Sequence, residues 1–100
     1  MGRTVDGRWD NLRIYNYSHL VKTLYGHSAV VESIELLSEQ FLVSGSKYTK
    51  LIVWDLSSYS IKYNLTAHTV HVYCVKRLSS SLMASGDTSG QIIILNWLND

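Results

Sequence analysis

The sequence predicts an all-β chain assembled from repeated sheet units, and three observations lead there. The stretch Ser44-Gly45-Ser46-Lys47-Tyr48-Thr49-Lys50-Leu51-Ile52-Val53-Trp54-Asp55 returns 41 residues later. Its second copy reads Ser85-Gly86-Asp87-Thr88-Ser89-Gly90-Gln91-Ile92-Ile93-Ile94-Leu95-Asn96. A histidine stands 17 residues ahead of each copy, in Gly26-His27 and in Ala67-His68. Short aliphatic runs alternate with polar turns throughout. Self-similarity at a period near 40 marks a stacked or radial repeat.

Residues 1–10 carry no periodicity and are expected to form an irregular leader. Trp9-Asp10 precedes a run instead of closing one, so it is set aside as a decoy for the later Trp54-Asp55. Leu12-Arg13-Ile14-Tyr15-Asn16 is the better match, with Tyr15-Asn16 in the place of Trp54-Asp55. Residues 11–25 therefore form a partial unit of two strands, the second being Leu20–Tyr25.

Residues 26–66 form a complete unit of four strands. Val31, Ile34 and Leu36 mark the first, and Phe41-Leu42-Val43-Ser44 the second. The second is a continuous apolar run, as befits a strand covered on both faces. Leu51-Ile52-Val53-Trp54 is the third. In the fourth, Ile61, Tyr63 and Leu65 alternate with Lys62, Asn64 and Thr66, the mark of a half-exposed strand.

Residues 67–100 repeat the pattern through Val72 and Val75, Leu82-Met83-Ala84-Ser85 and Gln91–Leu95, and lack the fourth strand. The expected total is nine strands, as two, four and three. Val31, Ile34 and Leu37 would also suit one face of a helix. The equivalent stretch contains Val70, Val72, Tyr73 and Val75, which favour extended backbone.

Gly-His followed by a later Trp-Asp is the signature of the WD-repeat (WD40) β-propeller family, and nearly the whole chain resembles it. The resemblance implies four-stranded antiparallel blades. By it, residues 11–25 are the third and outer strands of a partial blade, 26–66 a complete blade, and 67–100 a blade without its outer strand. It also implies a structural hydrogen-bond row of His, Ser, Trp and a turn Asp. His27, Ser44 and Trp54 fill three of those places, but Tyr48 stands where the turn Asp is expected, six residues before Trp54. His68 and Ser85 remain in the second unit, where Leu95 replaces Trp and Ser89 replaces the turn Asp. Asp55, of the signature dipeptide, is counted with this blade network. Partners of the family dock on the face bearing the loop into the innermost strand and the second turn. Here that face holds Ser28, Ala29, Lys47, Tyr48, Thr49, Thr69, Val70, His71, Thr88 and Ser89. Tyr48, an aromatic in a turn, is of the type that anchors interfaces.

Chemical readings of the same residues are weaker. His27, Ser44 and Asp55 suggest a nucleophilic triad, but a nucleophile needs a base in reach, an oxyanion hole and a cleft, which nothing near Ser44 supplies. His68 and His71 have the spacing of a ligand pair, yet His19, His27, His68 and His71 come without a Cys cluster or His-Glu-x-x-His, so no metal is expected. Ser85–Gly90 lacks the Lys and following helix of a phosphate loop. Cys74 alternates with Val72 and is expected to be buried packing.

A net charge of +1 without a basic run offers nothing for nucleic acid or an anionic membrane. No apolar run reaches the roughly 18 residues of a membrane span. One cysteine allows no intrachain disulfide, which points to an intracellular compartment, the cytoplasm first and the nucleus as an alternative. The expectation is a non-catalytic scaffold without cofactor, binding other proteins or peptides as part of a larger propeller. The alternative is a module that closes a ring from several copies of itself, since propellers need about 4–8 blades.

Overall fold

The computed structural model describes residues 3–8, 10–16, 19–47, 49–66 and 68–98. Trp9, Tyr48 and Ala67 lie outside the described residues. Ten strands form three antiparallel sheets among those described. The N-terminal sheet holds β1 (Arg3–Arg8), β2 (Asn11–Asn16) and β3 (His19–Tyr25), in that order. The central sheet holds β4 (Val31–Leu36), β5 (Phe41–Ser46), β6 (Lys50–Asp55) and β7 (Ser60–Thr66). The C-terminal sheet holds β8 (Val72–Arg77), β9 (Leu82–Asp87) and β10 (Ile92–Asn96). Extended backbone runs through Val31–Leu36, so the helical alternative falls.

The leader is corrected: residues 3–8 are not irregular but pair with β2 along their whole length, Arg3 opposite Asn16 and Arg8 opposite Asn11. With Arg at both ends and Gly7 inside, β1 has no hydrophobic alternation, and the ladder to β2 supplies its order. The observed count is therefore three, four and three.

The registers superpose the sheets residue for residue. Gly7 pairs with Leu12, Gly45 with Leu51 and Gly86 with Ile92. Since side chains alternate across a strand, Leu12 and Ile14 share a face with each other, as do Leu51 and Val53, and Ile92 and Ile94. The first pair is buried against Leu42, Ile52 and Trp54 of the central sheet. The second is buried beneath Val72, Val75 and Met83 of the C-terminal sheet. The third pair is exposed, Ile92 at 71% and Ile94 at 60%.

Bulges in the first strands of the central and C-terminal sheets alter the expected burial. The ladder shifts between Val31 and Ser33, and again between Val72 and Cys74. One extra residue breaks the alternation, so Val72 and Val75 turn inward while Tyr73 and Cys74 face out. Cys74 is thus exposed, a correction to the buried packing expected of it. Leu36 is likewise 53% exposed.

Candidate functional site

Two buried histidine networks lie at the same end of the second strands, one in the central sheet and one in the C-terminal sheet. In the central sheet Trp54 Nε1 donates to Ser44 Oγ at 2.8 Å, and Ser44 Oγ lies 2.5 Å from His27 Nε2. His27, Ser44 and Trp54 are all buried. Gly26 allows this packing, because a Cβ there would stand 2.8 Å from Trp54 Cη2. Having accepted the indole N–H, Ser44 has its own proton left to donate, and Nε2 is the acceptor within reach. The ring proton of His27 then sits on Nδ1. That atom is buried without a hydrogen-bond partner among the described residues.

Burial, then the charge of Lys50, lowers the His27 pKa to about 4, with Asp10 opposing.

In the C-terminal sheet His68 Nε2 lies 2.7 Å from Ser85 Oγ, and its Nδ1 lies 2.7 Å from Asp87 Oδ2. The second carboxylate oxygen, Oδ1, accepts from Ser89 Oγ at 2.6 Å, Ser89 N at 2.9 Å and Gln91 N at 3.1 Å. The Ser89 hydroxyl leads in lowering the Asp87 pKa to about 2, against the opposing effect of burial, with His68 adding to it.

This corrects the sequence expectation on two points. The acid of the second network is present, but it is Asp87, two residues before the expected position at Ser89. Ser89 instead braces Asp87. The signal was available in the repeat itself, where Ser85-Gly86-Asp87 aligns with Ser44-Gly45-Ser46 and sets an acid at the start of the turn.

Asp55 is the second correction. It belongs to no histidine row, because it lies at the far end of β6, opposite Phe41. There its Oδ1 accepts from Ser57 Oγ at 2.6 Å and Ser57 N at 2.9 Å, and Gln40 Nε2 approaches at 3.3 Å. The Ser57 hydroxyl, with these companions, lowers its pKa. Asp55 therefore fixes the turn into β7.

The residues assigned to partner docking gather at the histidine end. Lys47 N donates to Val30 O at 2.9 Å, and Thr88 N donates to His71 O at 3.1 Å. Each bond ties a second turn to the loop entering the innermost strand. Ser28, Lys47, Thr88 and Ser89 are exposed, while Thr49 and His71 are half-buried. Tyr48 lies outside the described residues.

An open groove of about 830 Å³ lies at the other end of the inner strands, lined by Val5, Ile34, Leu36, Leu42, Leu56 and Arg77 among others. No member of either histidine network lines it. Among the described residues no three His, Cys, Asp or Glu gather to hold a metal.

Comparison with known proteins places these features. No family model matches the sequence. An uncharacterized WD repeat-containing protein of Schizosaccharomyces pombe is 40% identical over 77 residues, covering 71% of this chain and 21% of that protein. The crystal structure of the WD40 β-propeller domain of Doa1 superposes with a TM-score of 0.87 at 18% identity, over 98% of this chain and 34% of that one. The chain thus spans about a fifth of that relative and a third of that structure. Sheet order, the repeated His-Ser rows and these likenesses agree: the chain is similar to WD-repeat proteins and folds as adjacent blades of a WD40-type β-propeller.

Proposed function

We propose that this chain is a non-catalytic protein-interaction scaffold, contributing consecutive blades to a larger propeller. The observation that carries the reading is the uncovered flank of the C-terminal sheet. Ile92 and Ile94 occupy the places of Leu51 and Val53, which the following sheet covers completely. Large exposed apolar patches mark protein contact. Burial of both His-Ser pairs supports the absence of catalysis, since a nucleophile without access to substrate cannot act. The lone Cys74 supports an intracellular, cytoplasmic setting.

Closure of a ring from identical copies has less support. Head-to-tail stacking would lay Ile92 and Ile94 on a flank where Arg13 holds the place that Ile52 and Ile93 hold in the other sheets. Burying a guanidinium against aliphatic side chains is costly.

Partner docking is assigned to the face of Ser28, Lys47, Tyr48, Thr49, His71, Thr88 and Ser89. A photo-crosslinker at Ser28 or Thr88 should capture a defined protein partner, and one at Ser57, at the far end, should not. Equal capture from Ser57 overturns the assignment.

A further inference from the structure

The three sheets share one register, yet the first strand that two of them carry has no counterpart in the third. Val5 faces Ile14 as Val43 faces Val53, so β1 holds the place of β5, and through Gly7 and Gly86 that of β9. β5 carries β4 on its other edge and β9 carries β8. β1 pairs with β2 alone among the described residues. The groove of about 830 Å³ opens beside this edge, lined by Val5 together with Ile34, Leu36, Leu42 and Leu56. Between the central and C-terminal sheets, Val43, Val75, Met83 and Trp97 hold the places of Val5, Ile34, Leu42 and Leu56. There the space is filled, because Leu37, which follows β4, packs with all four and is 1% exposed.

First strands also bond to one another. Ser33 Oγ accepts from Val75 N at 3.1 Å, and Glu35 Oε2 accepts from Arg77 N at 2.8 Å. Ile34 and Leu36 hold the places of Val75 and Arg77, so their N–H groups point the same way, away from β5. Ser33 faces Gly45 and Glu35 faces Val43. A strand added to β1 would therefore serve Ile34 from a residue opposite Gly7, and Leu36 from a residue opposite Val5. The second of these acceptors is uncharged. Glu35 stands where Lys76 stands in the next sheet, and Lys76 lies 3.9 Å from Glu35. A carboxylate brought to Glu35 would instead meet like charge, whereas a side-chain amide accepts without it.

We propose that the edge of β1 and the groove beside it receive an extended segment of a partner protein, added antiparallel as a further strand. It carries Ser or Thr opposite Gly7, Asn or Gln opposite Val5, and Leu two residues further on, in the place of Leu37. A second copy of the chain does not fit. Its β4 and β8 are already paired, and its own edge strand β10 runs Ile92-Ile93-Ile94-Leu95, without hydroxyl or amide. This groove lies at the opposite end from the histidine rows, so the inference stands apart from the docking face assigned there.

The test is a titration of the 100-residue chain with a capped peptide of the sequence of residues 31–37, carrying Gln in place of Glu35. Binding is followed by methyl NMR up to about 1 mM, the range of a weak complex. The signals of Val5, Ile34, Leu36 and Leu56 should move, and those of Ile92 and Ile94 on the other edge strand should not. N-methylation of the Gln, whose N–H faces β1, should weaken binding about tenfold. N-methylation of the leucine after it, whose N–H faces away, should cost less than about threefold. Restoring Glu should weaken binding about threefold at low salt. Leu36→Thr in the chain, at a residue already 53% exposed, should weaken it about three- to tenfold. Absence of binding, movement of Ile92 and Ile94 instead, or equal affinity of the two N-methyl peptides overturns the proposal. So does equal or tighter binding of the Glu peptide, or unchanged affinity in a folded Leu36→Thr chain. A dimer in light scattering that moves the same methyl signals and resists the peptide would make a second copy the occupant, and likewise overturns it.

Discussion

Thr49 and Gly90 occupy the same turn position in consecutive units, and both hold a left-handed backbone, at φ 71° and φ 89°. Glycine adopts it freely, whereas a side chain with a Cβ meets the following carbonyl at a cost of about 1–2 kcal/mol. The extra freedom of glycine in the unfolded chain returns about half of that. Thr49→Gly should therefore stabilise the fold by about 0.5–1 kcal/mol, read as a higher urea midpoint at unchanged slope. An unchanged or lower midpoint would refute the strain.

Gly45 and Gly86 are equivalent by register but not by surroundings. A Cβ on Gly45 would lie 2.8 Å from Val72 Cγ1 and 3.3 Å from Val75 Cγ1, whereas on Gly86 the nearest atom is Tyr73 Oη at 3.8 Å. Gly45→Ala should cost about 1–3 kcal/mol by overpacking. Gly86→Ala should stay within about 0.5 kcal/mol of the parent. Equal midpoints for the two variants would contradict the sheet packing.

Ser44 serves two partners and Ser85 one. Ser44→Ala strands both His27 Nε2 and Trp54 Nε1, so a loss of about 2–4 kcal/mol is expected. Ser85→Ala deprives only His68, since Leu95 has no side-chain N–H to bond in the place of the Trp54 indole, and should cost about 1–2 kcal/mol. Chemical denaturation of the two variants ranks them directly.

Acid should act in two stages. The His27 pKa is about 4 in the fold against 6.5 free, so the unfolded chain takes up the proton first. Stability then falls as pH drops from about 6.5 towards 4. Asp87 is held at about 2 against 3.8 free, and its contribution, intact above 3.8, is lost as pH falls towards 2. Denaturation midpoints followed across pH would show both limbs, and a His27 imidazole titrating near 6.5 would contradict the first.

The uncovered flank sets a contrast between equivalent aliphatic residues. Ile94→Lys should leave folding intact and reduce self-association in light scattering, because Ile94 faces solvent. Val53→Lys should unfold the chain by burying an unpaired charge. Persistent association of a folded Ile94→Lys chain would locate the contact elsewhere.

The period of 41 residues made most of the fold legible. It placed the central sheet and both His-Ser pairs, since each rests on residues whose type is the same in both copies. It did not reveal β1, whose order comes from pairing with β2 and not from its own apolar pattern. It misjudged Cys74, because a bulge moves burial by one residue without marking the sequence. Asp87 was missed for a related reason: the acid was sought at a fixed distance from a Trp that the second unit lacks, and not by its alignment with Ser46 in the repeat. Asp55 was grouped by its place beside Trp54, although neighbours along a strand point to opposite faces.

The order in which the aliphatic pairs are covered has a consequence for synthesis. Leu12 and Ile14 are sheltered by residues made later, and so are Leu51 and Val53. At about 5–20 residues per second, a spacing of 41 residues leaves each pair wet for roughly 2–8 seconds while its cover is translated. Newly made sheets of this chain would therefore be most exposed to chaperones and to mispairing at their trailing face, never at their leading one.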